Sequence, residues 1–521
     1  MLSLLNELKQ NNLSIWLQDG GLELSFGNTT PDAALIGKLK AHKPQLMQFL
    51  EHRKVFSKQL FNQLTELNRA PLSFAQERLL FIEQLEQGTS AYHIPYLVAL
   101  DDHTSIDILQ QAITHVVTRH DALRTVFKSD QNGDYQTLID YTLELQSRLI
   151  DNEHDALNAV VQEAIHTPFD LNNEASIRVL AWHTDTKQYL LFIWHHIAFD
   201  GWSTEIFMRD LHQAYYMREA GKEVQLPAVE LTYRDYANWQ RNHLEGETLE
   251  QLLDYWVSQF DGVEQLTLHS DLNRPKEFCY QGADHPIQLG KTRSDKLKDL
   301  AQRHETSLYV VLISAWALTL NKVSNQSEII VGTPSDNRHY SKTQNLVGFL
   351  VNSLPLKISA NPALNWVELI KQTHQTLIEA KNHQDLPFDK LIDALKLTRD
   401  PAQHPLFQVM FSLEQFANNS EDSQQLFAPV PQEQIKALHK VAKFDISLLL
   451  QNADSGVFGD LNYSTAVYSK PFIEALSERF VCMLDKLLDD ETQPISTVAG
   501  LLNHEQSLLQ SWNNTERAFD A

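Results

Sequence analysis

Trp194-His195-His196-Ile197-Ala198-Phe199-Asp200-Gly201-Trp202-Ser203 joins an apolar run to a helical pattern. The run before it, Tyr189-Leu190-Leu191-Phe192-Ile193, has large apolar residues at nearly every position, so residues 189–195 read as a strand. After it, residues 203–216 read as a helix, with Asp200-Gly201 as the turn and Ser203 as a candidate N-cap. Neighbouring strand residues point to opposite faces, so His195 and His196 cannot both enter one cleft, and one of them is structural. A buried histidine pair beside a turn aspartate is the bland account of these residues. The full H-H-x-x-x-D-G-x-S spacing is much rarer by chance than such a pair.

The same patterns extend outward. Residues 177–182 read as a strand joined to 189–195 by the polar turn Asp185-Thr186-Lys187. Helices are expected at 105–119 and at the strongly apolar 307–320, and strands at 329–333, 444–450 and 457–463. The alternation predicts an α/β or α+β fold, and α+β is the class taken here. Turn formers between 240 and 290, including Asp271-Leu272-Asn273-Arg274-Pro275, divide residues 71–240 from 241–495 as two lobes. Residues 496–521 read as a polar tail or linker, and no short repeat or low-complexity tract occurs.

The front of the chain reads as a separate unit, residues 1–54, followed by a connector at 55–70. Leu2, Leu5 and Leu8 recur at helical spacing; residues 14–18 and 23–26 read as strands around Asp19-Gly20-Gly21, which has hairpin chemistry. Thr30-Pro31-Asp32 opens a helix carrying Leu35, Ile36 and Leu39, which Pro44 interrupts before a last helix with Leu46 and Leu50. This unit has six Lys/Arg and five Asp/Glu, a net of +1, against −24 for the whole chain, so the remainder carries −25.

That remainder excludes several functions. A surface this acidic repels phosphate backbones, so sequence-independent nucleic-acid binding is not expected. No apolar run approaches the ~18 residues of a membrane span, and no signal peptide is evident. The 521 residues, 43% hydrophobic and 21% charged, allow three or four compact units. Cys279 and Cys482 are the only cysteines, too few for a metal quartet or a disulfide framework, and a reducing cytoplasm is the expected location. Walker, G-x-G-x-x-G, G-x-S-x-G and H-E-x-x-H patterns are all missing, so no phosphate cradle, serine elbow or zinc helix is expected.

The H-H-x-x-x-D-G stretch resembles the signature of condensation domains of nonribosomal peptide synthetases and their acyltransferase relatives. Residues 73–79, 119–127, 233–239, 347–353, 383–389 and 399–406 are similar to that family's other motifs, in the family's order, with Ser353 where threonine is usual. The match spans about residues 70–490. Residues 1–54 resemble a tubulysin-type N-terminal docking domain, and 496–521, with Trp512-Asn513-Asn514-Thr515, resemble a linker toward an adenylation domain, which implies the front portion of a longer enzyme.

The resemblance implies two chloramphenicol-acetyltransferase-like lobes in a V, plus a small α/β docking domain with a hairpin. It implies amide formation between a donor acyl or peptidyl thioester and the α-amine of an acceptor aminoacyl thioester. Both ride on 4'-phosphopantetheine arms of partner carrier domains, and the chain itself binds no cofactor or metal. The donor carrier would sit upstream, and the acceptor carrier downstream. His196 is assigned to the tunnel as proton acceptor or positioner, His195 to orienting the turn, and Asp200 to a structural pair with Arg338. Gly201 would give backbone access to the thioester. Trp202 and Ser203 line or cap the site, or are a core tryptophan and a plain N-cap. Asn352 hydrogen-bonds in the tunnel or ends a strand. Phe199 stands within the signature and would shape the donor side, but it reports no L or D donor preference. In the docking unit, Glu23, Leu24, Ser25 and Phe26, flanked by Lys38, Lys40 and Lys43, would take an upstream synthetase's C-terminal tail as an added strand; otherwise the lysines are a solvated helix face. The direct attack needs no covalent nucleophile. An epimerisation domain shares the H-H-x-x-x-D-G core, and a non-catalytic recruiting module shares the shell. A heterocyclisation domain would carry an aspartate in place of the histidine pair.

Overall fold

The strand Gln188–His195 lies at the centre of a five-stranded sheet ordered Phe427–Pro429, His93–Leu100, Gln188–His195, Ile177–His183, Ser147–Leu149. The computed structural model describes residues 13–18, 21–26, 33–52, 69–86, 88–101, 103–150, 154–397, 400–415, 426–430 and 432–514. The chain divides into two units, Met1–Thr65 and Glu66–Ala521.

In the first unit, Leu13–Gln18 and Gly21–Phe26 pair antiparallel, with Leu13 opposite Phe26 and Gln18 opposite Gly21. Helices Ala33–Ala41 and Lys43–His52 follow, and Leu35, Leu39 and Leu46 bury against Ile15 and Leu22. Lys38, Lys40 and Lys43 are exposed. The expected helix around Leu2, Leu5 and Leu8, the Asp19-Gly20 turn, the Thr30-Pro31-Asp32 cap, residues 55–68 of the connector and residues 515–521 lie outside the described residues.

In the second unit the apolar run of Gln188–His195 has a clear cause. Leu190, Phe192 and Trp194 face one cluster with helices Ile106–Arg119 and Gly201–Glu219, while Leu191 and Ile193 face another with helix His154–His166. Both faces are covered, so no polar alternation is required. Phe192 stacks on Trp194 at 5.3 Å and Trp194 on Phe199 at 4.4 Å. Phe199 is thus fully buried in the core. Each such side chain contributes about 1.5–3 kcal/mol by burial.

The second sheet has six strands, ordered Asn352–Ser359, Glu328–Ser335, Val409–Gln415, Ile446–Ala453, Gly456–Ser464, Gly282–Gln288. Helix Leu308–Ser324 lies beneath it, capped by Ser307, whose side chain accepts from the Val310 N–H. Its residues are buried almost all round, as an apolar helix without a polar face must be.

Two features go beyond these expectations. The lobe division at 240 gives 427–429 to the second lobe, yet Phe427–Pro429 pairs with His93–Leu100 in the first sheet. An edge strand carries unpaired backbone groups, and a distant segment that satisfies them leaves no local sequence signal. The polar tail contains the helix Asn503–Asn513, held by an Arg479–Glu505 ion pair. Among the described residues no single helix is long and apolar enough to cross a membrane, and no three His, Cys, Asp or Glu side chains form a metal-type cluster.

Candidate active site

The odd-numbered face of the central strand continues from Leu191 and Ile193 to His195, which is fully buried. Its ring contacts Phe169 and His93 edge-on at 5.6 and 5.8 Å. Nδ1 accepts the Ile197 N–H at 3.2 Å, so the ring proton is on Nε2, which stands 3.3 Å from Glu83 Oε1. His195 thereby fixes the short helical turn His196–Ala198.

His196 leaves the strand in the other direction. Its N–H donates to the Tyr92 carbonyl at 2.8 Å, and its half-buried ring meets Phe349 edge-on at 4.7 Å. Nδ1 has no hydrogen-bond partner among the described residues. Burial first, and then the nearby Lys443 charge, push the ring's proton affinity well below the ordinary imidazole range. His196 is accordingly a neutral imidazole.

Asp200 caps the helix Gly201–Glu219, and its Oδ1 accepts the Ser203 N–H at 2.9 Å. Ser203 is therefore not the N-cap; its hydroxyl bonds Asp200 Oδ1 at 2.7 Å and receives the Gly348 N–H at 3.1 Å. Asp200 Oδ2 also accepts the Leu350 N–H at 3.2 Å. Arg338 Nη2 lies 2.9 Å from both Asp200 oxygens, and Nη1 donates to the carbonyls of Thr343 and Leu346 at 2.7 and 2.5 Å. The pair is buried, not solvated.

The remaining expected residues are spread around this frame. Trp202 is not a core residue: it is 42% exposed, and its indole N–H donates to the Gln344 carbonyl at 2.9 Å. Around Gly201 a Cβ would meet nothing within 4 Å, so packing does not demand glycine there. Asn352 donates to the carbonyls of Gln384 and Leu386 at 3.0 and 2.7 Å and accepts the Phe388 N–H at 3.1 Å, which ties its strand to the following turn. Glu23 to Phe26 and the three lysines belong to the first unit.

The separated motifs meet here through hydrogen bonds. Tyr233 receives the Ser73 hydroxyl at 2.9 Å and donates to the Phe349 carbonyl at 2.5 Å. A Cβ on Gly348 would fall 1.9 Å from the Tyr233 ring, so only glycine permits that approach. Arg234 bonds Asp121 at 2.7 Å, and Arg78 reaches His404 Nε2 at 3.2 Å and Asp389 at 3.6 Å.

The family model for the condensation domain matches residues 66–510. This chain belongs to the condensation-domain family. The condensation domain is 34% identical over 462 residues to a linear gramicidin synthase from Brevibacillus parabrevis, covering 86% of this chain and 9% of that protein. It is 33% identical over 450 residues to the N-(5-amino-5-carboxypentanoyl)-L-cysteinyl-D-valine synthase of Amycolatopsis lactamdurans, covering 85% and 12%. The chain thus spans about a tenth of the length of these curated relatives. Among solved structures, the X-domain from teicoplanin biosynthesis superposes with a TM-score of 0.76 at 21% identity, covering 84% of this chain and 99% of that one. The first condensation domain of the calcium-dependent antibiotic synthetase, in complex with a substrate analogue, gives 0.69 at 18%, covering 83% and 99%. Both share the α+β, acetyltransferase-like fold.

Sequence reasoning missed Glu83, Tyr92, Phe349 and Lys443. Glu83 stands five residues beyond Arg78 on one helix, and that proximity was the available signal. Tyr92 acts through its carbonyl, which no side-chain motif records.

Proposed function

We propose that this condensation domain forms an amide bond between two carrier-bound substrates: the acceptor's α-amine attacks the donor thioester, and the carrier thiol leaves. The observation that carries this reading is His196, a neutral imidazole fixed by its own backbone beside a turn locked by Asp200 and Arg338. A neutral ring accepts a hydrogen bond from the attacking amine and orients it. A ring of such low proton affinity is poorly suited to storing a proton, so positioning and transient relay to the leaving sulfur carry its contribution. Free α-amines, with a pKa near ~8, supply enough neutral nucleophile without a strong base.

Supplying the chain with one donor-loaded and one acceptor-loaded carrier tests this directly, with mass spectrometry of the product. An amide on the acceptor carrier is the expected result; none overturns the reading. An epimerisation domain would instead scramble the α-centre of a single loaded peptidyl carrier. A recruiting module would do neither.

The first unit is the proposed docking module for an upstream synthetase's C-terminal tail. The exposed Lys38, Lys40 and Lys43 beside a two-stranded sheet support an acidic, extended partner. Titrating the whole chain with cognate tail peptides should give saturable binding that charge reversal at these lysines abolishes. Unsaturable binding would end the idea.

A further inference from the structure

Lys443 lies between the bridge residue Val441 and the strand Ile446–Ala453. Its ammonium stands 5.2 Å from the centroid of the Tyr92 ring, and the Tyr92 carbonyl accepts the His196 N–H at 2.8 Å. Lys443 and His196 thus share Tyr92 as a common neighbour, and the Lys443 charge is felt at the His196 ring. Among the described residues Lys443 forms no ion pair. The acids near Tyr92 are engaged elsewhere: Glu83 faces His195 Nε2 at 3.3 Å, and Glu86 accepts the Tyr280 hydroxyl at 3.1 Å. Arg78 and His439 add no negative charge. A half-buried ammonium without a counter-ion is unfavourable. An incoming oxygen that develops negative charge would relieve that.

We propose that Lys443 is a catalytic residue whose ammonium hydrogen-bonds the thioester carbonyl oxygen as it becomes an oxyanion, while His196 receives the amine. The inference rests on the amide-forming reading. The amine nitrogen forms the C–N bond, and the carbonyl π electrons move to oxygen, where Lys443 Nζ–H donates. His196 takes one proton from the attacking nitrogen. The oxyanion then re-forms C=O, the C–S bond breaks, and the thiolate takes the proton from His196. An amine and a thioester become an amide and a thiol, with Lys443 unchanged.

The test needs no turnover. Carriers are prepared with a pantetheine arm bearing a phosphonate anion in place of the thioester carbonyl, and with a matched neutral amide, and both are titrated against the full chain. Wild type should bind the phosphonate arm at least tenfold more tightly than the amide arm. K443M should lose most of that preference, its affinity falling far more for the phosphonate arm than for the amide arm, and K443R should keep the preference. A merely structural contact with Tyr92 would weaken both arms together. Should K443M not fold, K443Q is read in the same way. No preference in wild type, or an undiminished one in K443M or K443Q, overturns the proposal. Lys443-dependent phosphonate binding without amide formation from loaded carriers supports the oxyanion site and overturns the amide-forming reading instead.

Discussion

Arg338 places one guanidinium nitrogen 2.9 Å from each carboxylate oxygen of Asp200, joining positions 138 residues apart. Both side chains are essentially inaccessible. Removing one partner strands the other charge, which typically costs about 3–5 kcal/mol. D200N and R338M should each lower the melting temperature and the soluble yield, and activity should fall with them. The double variant should lose less than the sum of the two, because neither charge is then left alone. Wild-type melting of D200N would show that the pair does not hold the turn.

His196→Ala should behave differently. The ring is half-buried, its N–H anchor to Tyr92 is backbone, and alanine keeps that bond. Melting should stay close to wild type, while amide formation on loaded carriers falls about 10²-fold or more. Unchanged turnover would remove His196 from the chemistry.

Glu83 faces His195 Nε2 at 3.3 Å, and a positioning role acting through His195 is the proposal to test. E83L leaves the buried Nε2–H without its acceptor, at a cost of about 1–3 kcal/mol. E83Q retains an acceptor oxygen. If Glu83 sets the His196 turn, E83L should lower kcat with little change in KM, and E83Q should restore most of it. Equal kinetics for all three proteins would confine Glu83 to a packing role.

What the sequence disclosed follows from the range of its interactions. The strand ending at His195 and the helices that begin near 105 and 307 are local events, set by neighbours within a few residues. The opposite directions of His195 and His196 follow from strand geometry alone. The Asp200–Arg338 pair was expected only through family resemblance, since nothing local links the two positions. Lys443 and the strand Phe427–Pro429 reach the first sheet's neighbourhood from the far end of the chain, and no periodicity records such an arrival. Ser203 shows a local ambiguity: two side chains at one helix start can both cap, and Asp200 takes the position because it also faces Arg338.

Buried neutral histidines predict an acid limit to stability. His93 is 3% exposed, its Nδ1–H donates to the Ile165 carbonyl at 2.6 Å, and burial pulls its pKa down to about 3. The unfolded chain takes up a proton near the ordinary imidazole value of ~6.5 and the folded one does not, so the unfolded state binds more protons below that value. The stability contribution is therefore present above pH ~6.5 and is lost as pH falls toward the folded value. One such histidine accounts for about 2 kcal/mol between pH ~6.5 and ~5. Denaturant melts across this window should show stability falling with pH, and H93F should flatten the slope whatever it does to absolute stability. A slope identical to wild type would show that His93 is already charged in the folded protein.

The rate of amide formation should pass through a maximum. The acceptor α-amine must be neutral, so the rate rises as pH approaches its pKa of ~8. Burial brings Lys443 down to about 8, so its ammonium begins to lose its proton in the same range. The titratable groups beside it are Tyr92, His196 and His439, and Tyr92 in turn neighbours Arg78, Tyr280, Glu83 and Glu86; both tyrosines are pushed up by burial. Neither tyrosine ionises in this window, and His196 is already neutral across it. The falling limb is thus assigned to Lys443. Arginine stays protonated throughout, so single-turnover rates for K443R should rise to a plateau and not decline. A falling limb in K443R at the wild-type position would place the titrating group elsewhere.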